Sequence, residues 1–495
     1  MNTYTPPIKE LRSLILDALP AETSEHGAQA PVHQLFVPKS HVRALQPNAT
    51  LVVGSRGAGK SFWWSALQSS DHRALVEAHS PDTRLRRNTL AVPGFGERPL
   101  PDAYPNGEVL AALLAGGHSS RQVWKTVMVW AVLDRASLPP AGTWSERVAW
   151  TQSNPEAVTR LLHERDQQLQ KQDRDLIVLF DALDRSSSHW PTLYGLVQNL
   201  LQVVLEFRAY QRIRAKVFLR TDQFNEQRIA GFPDASKLFA SKVELSWSTH
   251  ELYSLLWQLL ANHPVKGDDF RELAVQETKG RVRWVQLALP LLWPVPRELE
   301  YDADLQMQLF HALTGPYMGN DPRRGVPYRK VPTFLGDAHH QVSPRSFLVA
   351  LRCAAEDSVR NHPEHVFPVH YKSLSVGVQE ASRIRVIEIR EDYTWIDEVI
   401  RPLKDLLVPC TVEEIEHRWA QDDTLGSLRR KCENGEHRLP PAHLEDGPAG
   451  VREDLEMMGV FHRMNDGRVN VPDVYRVGFG LRRRGGVAPT SGNRN

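Results

Sequence analysis

Short apolar runs that end in a glycine or an acid alternate along the first half of the chain with longer stretches of helical period. Leu51 to Val53 run straight into Gly54, and Leu176 to Phe180 form an unbroken apolar pentad ahead of Asp181. Lys216 to Asp222 (KVFLRTD) and Asn88 to Phe95 read as two further strands. Strands with no polar alternation are buried on both faces, which is the condition of a parallel sheet covered by helices. The covering helices are predicted from Phe62, Trp63, Trp64 and Leu67, from Ser119 to Leu133, from Pro155 to Lys171 and from Trp190 to Phe207. The fold class that follows is α/β.

Helical patterning dominates the second half. In LSWSTHELYSLLWQLL, Ser248 and Glu251 have capping-box spacing, and Leu252, Leu255, Leu256 and Leu259 make an apolar stripe. Ser343-Pro344 marks another helix start. Arg383 to Arg390 (RIRVIEIR) alternates apolar and charged residues and reads as a half-exposed strand or linker edge, Trp395 to Leu407 reads as helical, and Pro409 marks a boundary. From Cys410 the order helix, loop, helix, hairpin predicts a winged-helix domain. Thr411 and Glu414 cap its first helix, Pro448 to Met458 is a later one, and Val460–Met464 and Arg468–Val471 flank an Asn465-Asp466-Gly467 turn. The expected organisation is an N-terminal helix and tail (1–30), with Leu11, Ile15 and Leu19 on one face, an α/β core (31–245), a helical lid (246–360), a linker (361–408), a winged helix (409–478) and a flexible basic tail (479–495).

Composition narrows this picture without redirecting it. A chain of 495 residues exceeds one ordinary core, and 41% hydrophobic with 24% charged residues is the balance of a soluble globular protein. A formal net charge of +1 gives no general support for nucleic-acid binding. Three dispersed cysteines, Cys353, Cys410 and Cys432, indicate neither a disulfide framework nor a zinc site, and fit a reducing cytoplasmic setting. The start shows no signal-peptide pattern. The most apolar window, Val285 to Val295, is too short and proline-broken to span a bilayer.

The chemistry sits where strands end. Gly54-x-x-x-x-Gly59-Lys60-Ser61 lies between an apolar strand and a helix, the context of a phosphate-binding P-loop. Gly54, Gly57 and Gly59 let successive N–H groups of Ser55, Arg56 and Ala58 close on an anion, and the helix start at Lys60, Ser61 and Phe62 adds its dipole. Lys60 reaches the β- and γ-phosphates of a nucleotide, and Ser61 supplies a hydroxyl to Mg²⁺. Asp181, delivered to the carboxyl end of a buried strand, is the second metal oxygen of a Walker B motif. His339 and His340 beside Asp337 read as a solvated loop, with no metal ligand assigned.

Together, GSRGAGKS and DLIVLFDALDR resemble the P-loop ATPases of the AAA+/STAND superfamily, with NACHT- and KAP-like features in the second motif. The resemblance spans Leu51 to Asp222. Ala182 stands where many AAA+ ATPases carry a glutamate, and Arg185 departs from the acid of the NACHT pattern. The resemblance implies a slow ATPase in which Asp184 is the catalytic base or orients water, Arg220 reads the γ-phosphate from the sensor 1 position and Arg345 does so from a lid helix. ATP and Mg²⁺ are the implied cofactors. Two roles follow: a switch that regulates a partner protein or homo-oligomer, as in bacterial defence or signalling, or a DNA-associated ATPase similar to origin-recognition or transposition loaders. The acidic face of the 448–458 helix (Glu453, Asp454, Glu456 beside Arg452) favours the first. The arginines Arg476, Arg482, Arg483 and Arg484 favour the second.

Overall fold

A computed structural model describes residues 7–20, 31–140, 142–287, 292–319, 321–484 and 487. The polar stretch 21–30, part of the 285–295 window and the end of the basic tail lie outside the described residues. The chain divides into two compact units, Glu25–Ser246 and Met1–Ser24 with Trp247–Asn495.

The first unit is a mixed α/β layer structure around a five-stranded parallel sheet. Its strands are β1 (Leu51–Gly54), β2 (Leu90–Phe95), β3 (Leu176–Phe180), β4 (Ile213–Arg220) and β5 (Val243–Leu245), in the order β2-β3-β4-β1-β5. Every residue of β3 is at most 1% exposed, as its unbroken apolar run requires. Register brings the functional ends together. Gly54 pairs with Arg220 and with Leu245, and Phe180 pairs with Phe95 and with Val217. Helices at Lys60–Gln68, Ser120–Val132, Pro155–Lys171 and Trp190–Phe207 follow the predicted spans. Trp63, Trp64 and Leu67 are buried in the first of these, whereas Phe62 is half-exposed and packs edge-on against Trp63.

Lys216 interrupts the apolar pattern of β4 yet is wholly buried. Its ammonium donates to the carbonyls of Ala44, Gln46 and Ala49, at 2.6, 3.0 and 2.7 Å, which ties the segment entering β1 to the sheet.

The second unit is helical. The Ser248–Glu251 capping box forms as predicted and opens the helix Thr249–Ala261, whose Leu252 and Leu256 enter the core. The N-terminal helix Ile8–Ala18 joins the same core through Leu11, Leu14 and Ile15. Helices Pro344–Asn361 and Tyr371–Asp392 cross so closely at Gly377 that a Cβ there would lie 2.0 Å from the Ala350 carbonyl oxygen.

Residues 383–390 belong to the 22-residue helix Tyr371–Asp392 and are not a strand or linker edge. Leu374, Val378, Ala381, Arg385 and Ile389 are buried at spacings of three and four. This continuous helical stripe is longer than the local alternation that suggested a strand. The helix predicted from Trp395 is only Ile396–Ile400 plus a turn of 3-10 helix, after which Leu407 bridges Arg482 in extended form.

The C-terminal part has helices Val412–Gln421, Thr424–Glu433 and Gly447–Met457, then the hairpin β6 (His462–Arg463) and β7 (Val469–Asn470) around Gly467. Cys410 adds an antiparallel bridge to Val469. Two charge readings change here. Asp454 is buried and bonds His443, so it leaves the acidic face of its helix. Arg476 is also wholly buried, in an ion pair with Asp473, and Arg482 and Arg483 are paired with Asp405 and Asp473, so this stretch is not a free basic tail.

Candidate nucleotide site

The site grows from the turn between β1 and the helix Lys60–Gln68. Gly57 and Gly59 carry φ values of 80° and 105°, left-handed geometry that side chains resist, and they curl the loop over the helix start. Two tryptophans hold the helix against the sheet. The Trp64 indole donates to the Leu179 carbonyl of β3 at 3.2 Å, and the Trp63 indole donates to His41 Nδ1 at 3.0 Å. His41 in turn faces the Ser246 carbonyl at 3.1 Å, so the segment before β1, the P-loop helix and the chain leaving β5 are bonded in series.

Lys60 is buried and donates to the carbonyls of Gly54 and Ser55, at 2.9 and 2.8 Å. Burial pushes its ammonium down to about 8; the charge of Arg220 adds to this and those of Asp181, Asp222 and Asp184 oppose it. Asp181, 4% exposed, accepts a hydrogen bond from the Ser61 hydroxyl. Burial raises its carboxyl above the usual carboxylate range, against the pull of the Ser61 hydroxyl and Lys60. The β-sheet thus joins residues 120 positions apart in sequence. A hydroxyl and a carboxylate side by side are hard oxygen donors suited to Mg²⁺, which takes one or two protein oxygens and completes its shell with water and phosphate.

Arg220 ends β4 with its guanidinium gripped by Asp222 (3.1 and 2.7 Å) and with Asp184 at 3.9 Å. Asp184 lies in a single 3-10 turn that follows Ala182, whose φ of 55° bends the chain sharply after Asp181. Arg185 leaves that turn and ion-pairs with Glu97 at 2.6 Å. Lys60, Ser61, Asp181, Asp184 and Arg220 are therefore one cluster at the carboxyl edge of the sheet. Arg345 belongs to the helical unit, where its guanidinium pairs with Glu388 at 2.9 Å. Asp337 accepts backbone bonds from His339 and Gln341 and closes a tight turn. Among the described residues no group of three or more His, Cys, Asp or Glu is arranged to hold a metal.

Three features escaped sequence reasoning. Asp222 ended a motif read for Arg220 alone. Glu97 lies two residues past a predicted strand end, a position that could have been inspected for an acid. The series through His41 had no sequence signal, because a single histidine ahead of a P-loop strand has no pattern of its own.

No protein-family model matches the chain, and no curated protein matches it. Among solved structures, the ORC2 protein of Aeropyrum pernix, in ADPNP–ADP complexes, is 12% identical; the match covers 95% of this chain and 92% of that one, with a TM-score of 0.28. Cdc6p from Pyrobaculum aerophilum is 13% identical over 96% and 93% of the two chains, with a TM-score of 0.26.

Proposed function

We propose that the chain is a P-loop ATPase of AAA+ type that binds ATP·Mg²⁺ at the Gly54–Phe62 loop and hydrolyses it. The observation that carries this reading is the bond between the Ser61 hydroxyl and the Asp181 carboxylate beside buried Lys60. Loop amides and the helix start hold the phosphates, and Lys60 exchanges its two loop carbonyls for phosphate oxygens. Ser61 and Asp181 would hold Mg²⁺, which would supply positive charge against the phosphates. Arg220, aimed by Asp222, stabilises the negative charge that develops on the γ-phosphate. Titration of ATP·Mg²⁺ into the wild-type chain and Lys60→Ala tests the assignment, and equal affinity in the two would overturn it.

The role proposed is that of a DNA-associated ATPase. It is favoured by the exposed β6–β7 hairpin as the wing of a winged helix, which carries Arg463 and, paired with Asp466, Arg468, and by Arg429 on the helix Thr424–Glu433, where the next two cations, Arg430 and Lys431, pair with Asp423 and Glu398. Such side chains hold phosphates without reading sequence. A second reading, a switch that regulates a partner protein or its own assembly, is favoured by the acids Glu453 and Glu456 on the helix before the wing. Binding of duplex DNA that falls with salt and weakens on Arg463→Ala/Arg468→Ala supports the first role. No binding at low salt supports the second.

A further inference from the structure

This inference rests on the proposed ATPase reading and names the group that activates the attacking water. Asp181 is followed by Ala182, so the strand that ends in the metal carboxylate offers no acid at its next position. The nearby acids in the turns after β3 and β4 are engaged at Arg220: Asp222 grips it twice and Asp184 faces it, all with side chains between 10% and 21% exposed. These carboxylates hold a buried cation in place.

The neighbouring strand supplies a different acid. The Asp181 N–H donates to the Phe95 carbonyl at 3.0 Å, so the chain leaving β2 runs beside the chain leaving β3. Gly96 crosses against the Trp64 ring, where a Cβ would lie 2.5 Å from a ring carbon, so the chain leaving β2 passes beside the P-loop helix, and the next residue, Glu97, pairs at 2.6 Å with Arg185, four residues past Asp181. Farther along the same loop, Tyr104 lies close enough to Asp181 for their charges to interact. Glu97 therefore stands at the same edge as the metal carboxylate. Its side chain is 26% exposed and its partner Arg185 is 54% exposed, so the guanidinium can turn to water with little loss of solvation and leave the carboxylate free.

We infer that Glu97 is the general base of hydrolysis, with Arg185 as its exchangeable counter-ion. A lone pair of the water oxygen forms the bond to the γ-phosphorus. The bond from that phosphorus to the β–γ bridging oxygen breaks, and its electron pair leaves on ADP. The proton of the water passes to a Glu97 Oε and from there to the released phosphate.

The test uses the full chain with ATP·Mg²⁺, measuring binding by calorimetry and turnover by phosphate release. Glu97→Gln, which preserves shape, is expected to keep its melting temperature and ATP affinity and to lose kcat by about 100-fold or more, with KM within about threefold. Arg185→Ala removes the same ion pair but keeps the carboxylate, and is expected to retain turnover to within about tenfold. Turnover of Glu97→Gln within about fivefold of wild type overturns the inference, as does a loss in Arg185→Ala as large as that in Glu97→Gln. Wild-type binding of ATP without phosphate release also overturns it and leaves nucleotide binding standing. Absence of wild-type ATP binding overturns the proposed function itself.

Discussion

Lys60 and Lys216 are both buried lysines in the α/β unit, and their surroundings give them different work. Lys60 is 9% exposed among Arg220 and three carboxylates, held by two loop carbonyls that a phosphate can replace. Its replacement by Ala is expected to weaken ATP binding by about 100-fold, read by calorimetry. Lys216 serves structure only, and burial pushes its ammonium down to about 7 from an ordinary 10.5. Between these values the unfolded chain holds a proton that the folded chain lacks, so this lysine makes stability rise with pH across that window. Below about 7 both states are protonated and the burden of the buried charge is fully present. The contribution is about 1 kcal/mol per pH unit. Urea unfolding of wild type and Lys216→Met at pH 7 and 9 checks it: the rise should be smaller in the variant. P-loop residues are legible in a sequence because their spacing is local. Lys216 is not, because its partners Ala44, Gln46 and Ala49 precede it by roughly 170 residues.

At the scale of elements, end signals performed well because they act within four residues. The boxes read at Ser248 and Thr411 both form, each with its side chain accepting a backbone N–H and the third residue reaching back, and the structure adds another at Ser119. Ser248→Ala should therefore lower stability by about 1 kcal/mol in thermal or urea unfolding. The long helix Tyr371–Asp392 was misread because alternation over eight residues outweighed a stripe that needs twenty to be seen. Its tightest contact is equally invisible in the sequence. Gly377→Ala places a methyl carbon 2.0 Å from a backbone oxygen, and two packed helices must separate to admit it. The expected loss is about 2–3 kcal/mol, in contrast to the gain that Gly→Ala brings in an open helix; equilibrium unfolding distinguishes the two signs.

At the scale of the molecule, nucleotide should act on stability by mass action. ATP·Mg²⁺ at about 100 times its dissociation constant is expected to stabilise the α/β unit by about 2.7 kcal/mol. Thermal melts should show the shift in wild type and lose it in Lys60→Ala. The C-terminal charges show why a count of arginines overstates a basic surface. Arg476 is enclosed with Asp473 and the Leu481 carbonyl, so it organises the fold and offers nothing to a phosphate. Among the described residues no helix is long and apolar enough to cross a membrane.

By itself the sequence determined four of the five strands and the course of the loop: unbroken apolar runs require a covered parallel sheet, and the glycines and lysine of residues 54–60 need only their own spacing to curl tightly onto a helix start. Only the tertiary structure decided which strand ends are neighbours. The order β2-β3-β4-β1-β5 sets Asp181 against Ser61, closes Asp222 on Arg220 and brings Glu97 to the edge that holds Asp181. Strand order is a property of pairing between distant segments, chosen by the packing of whole faces, and no window along the chain contains it.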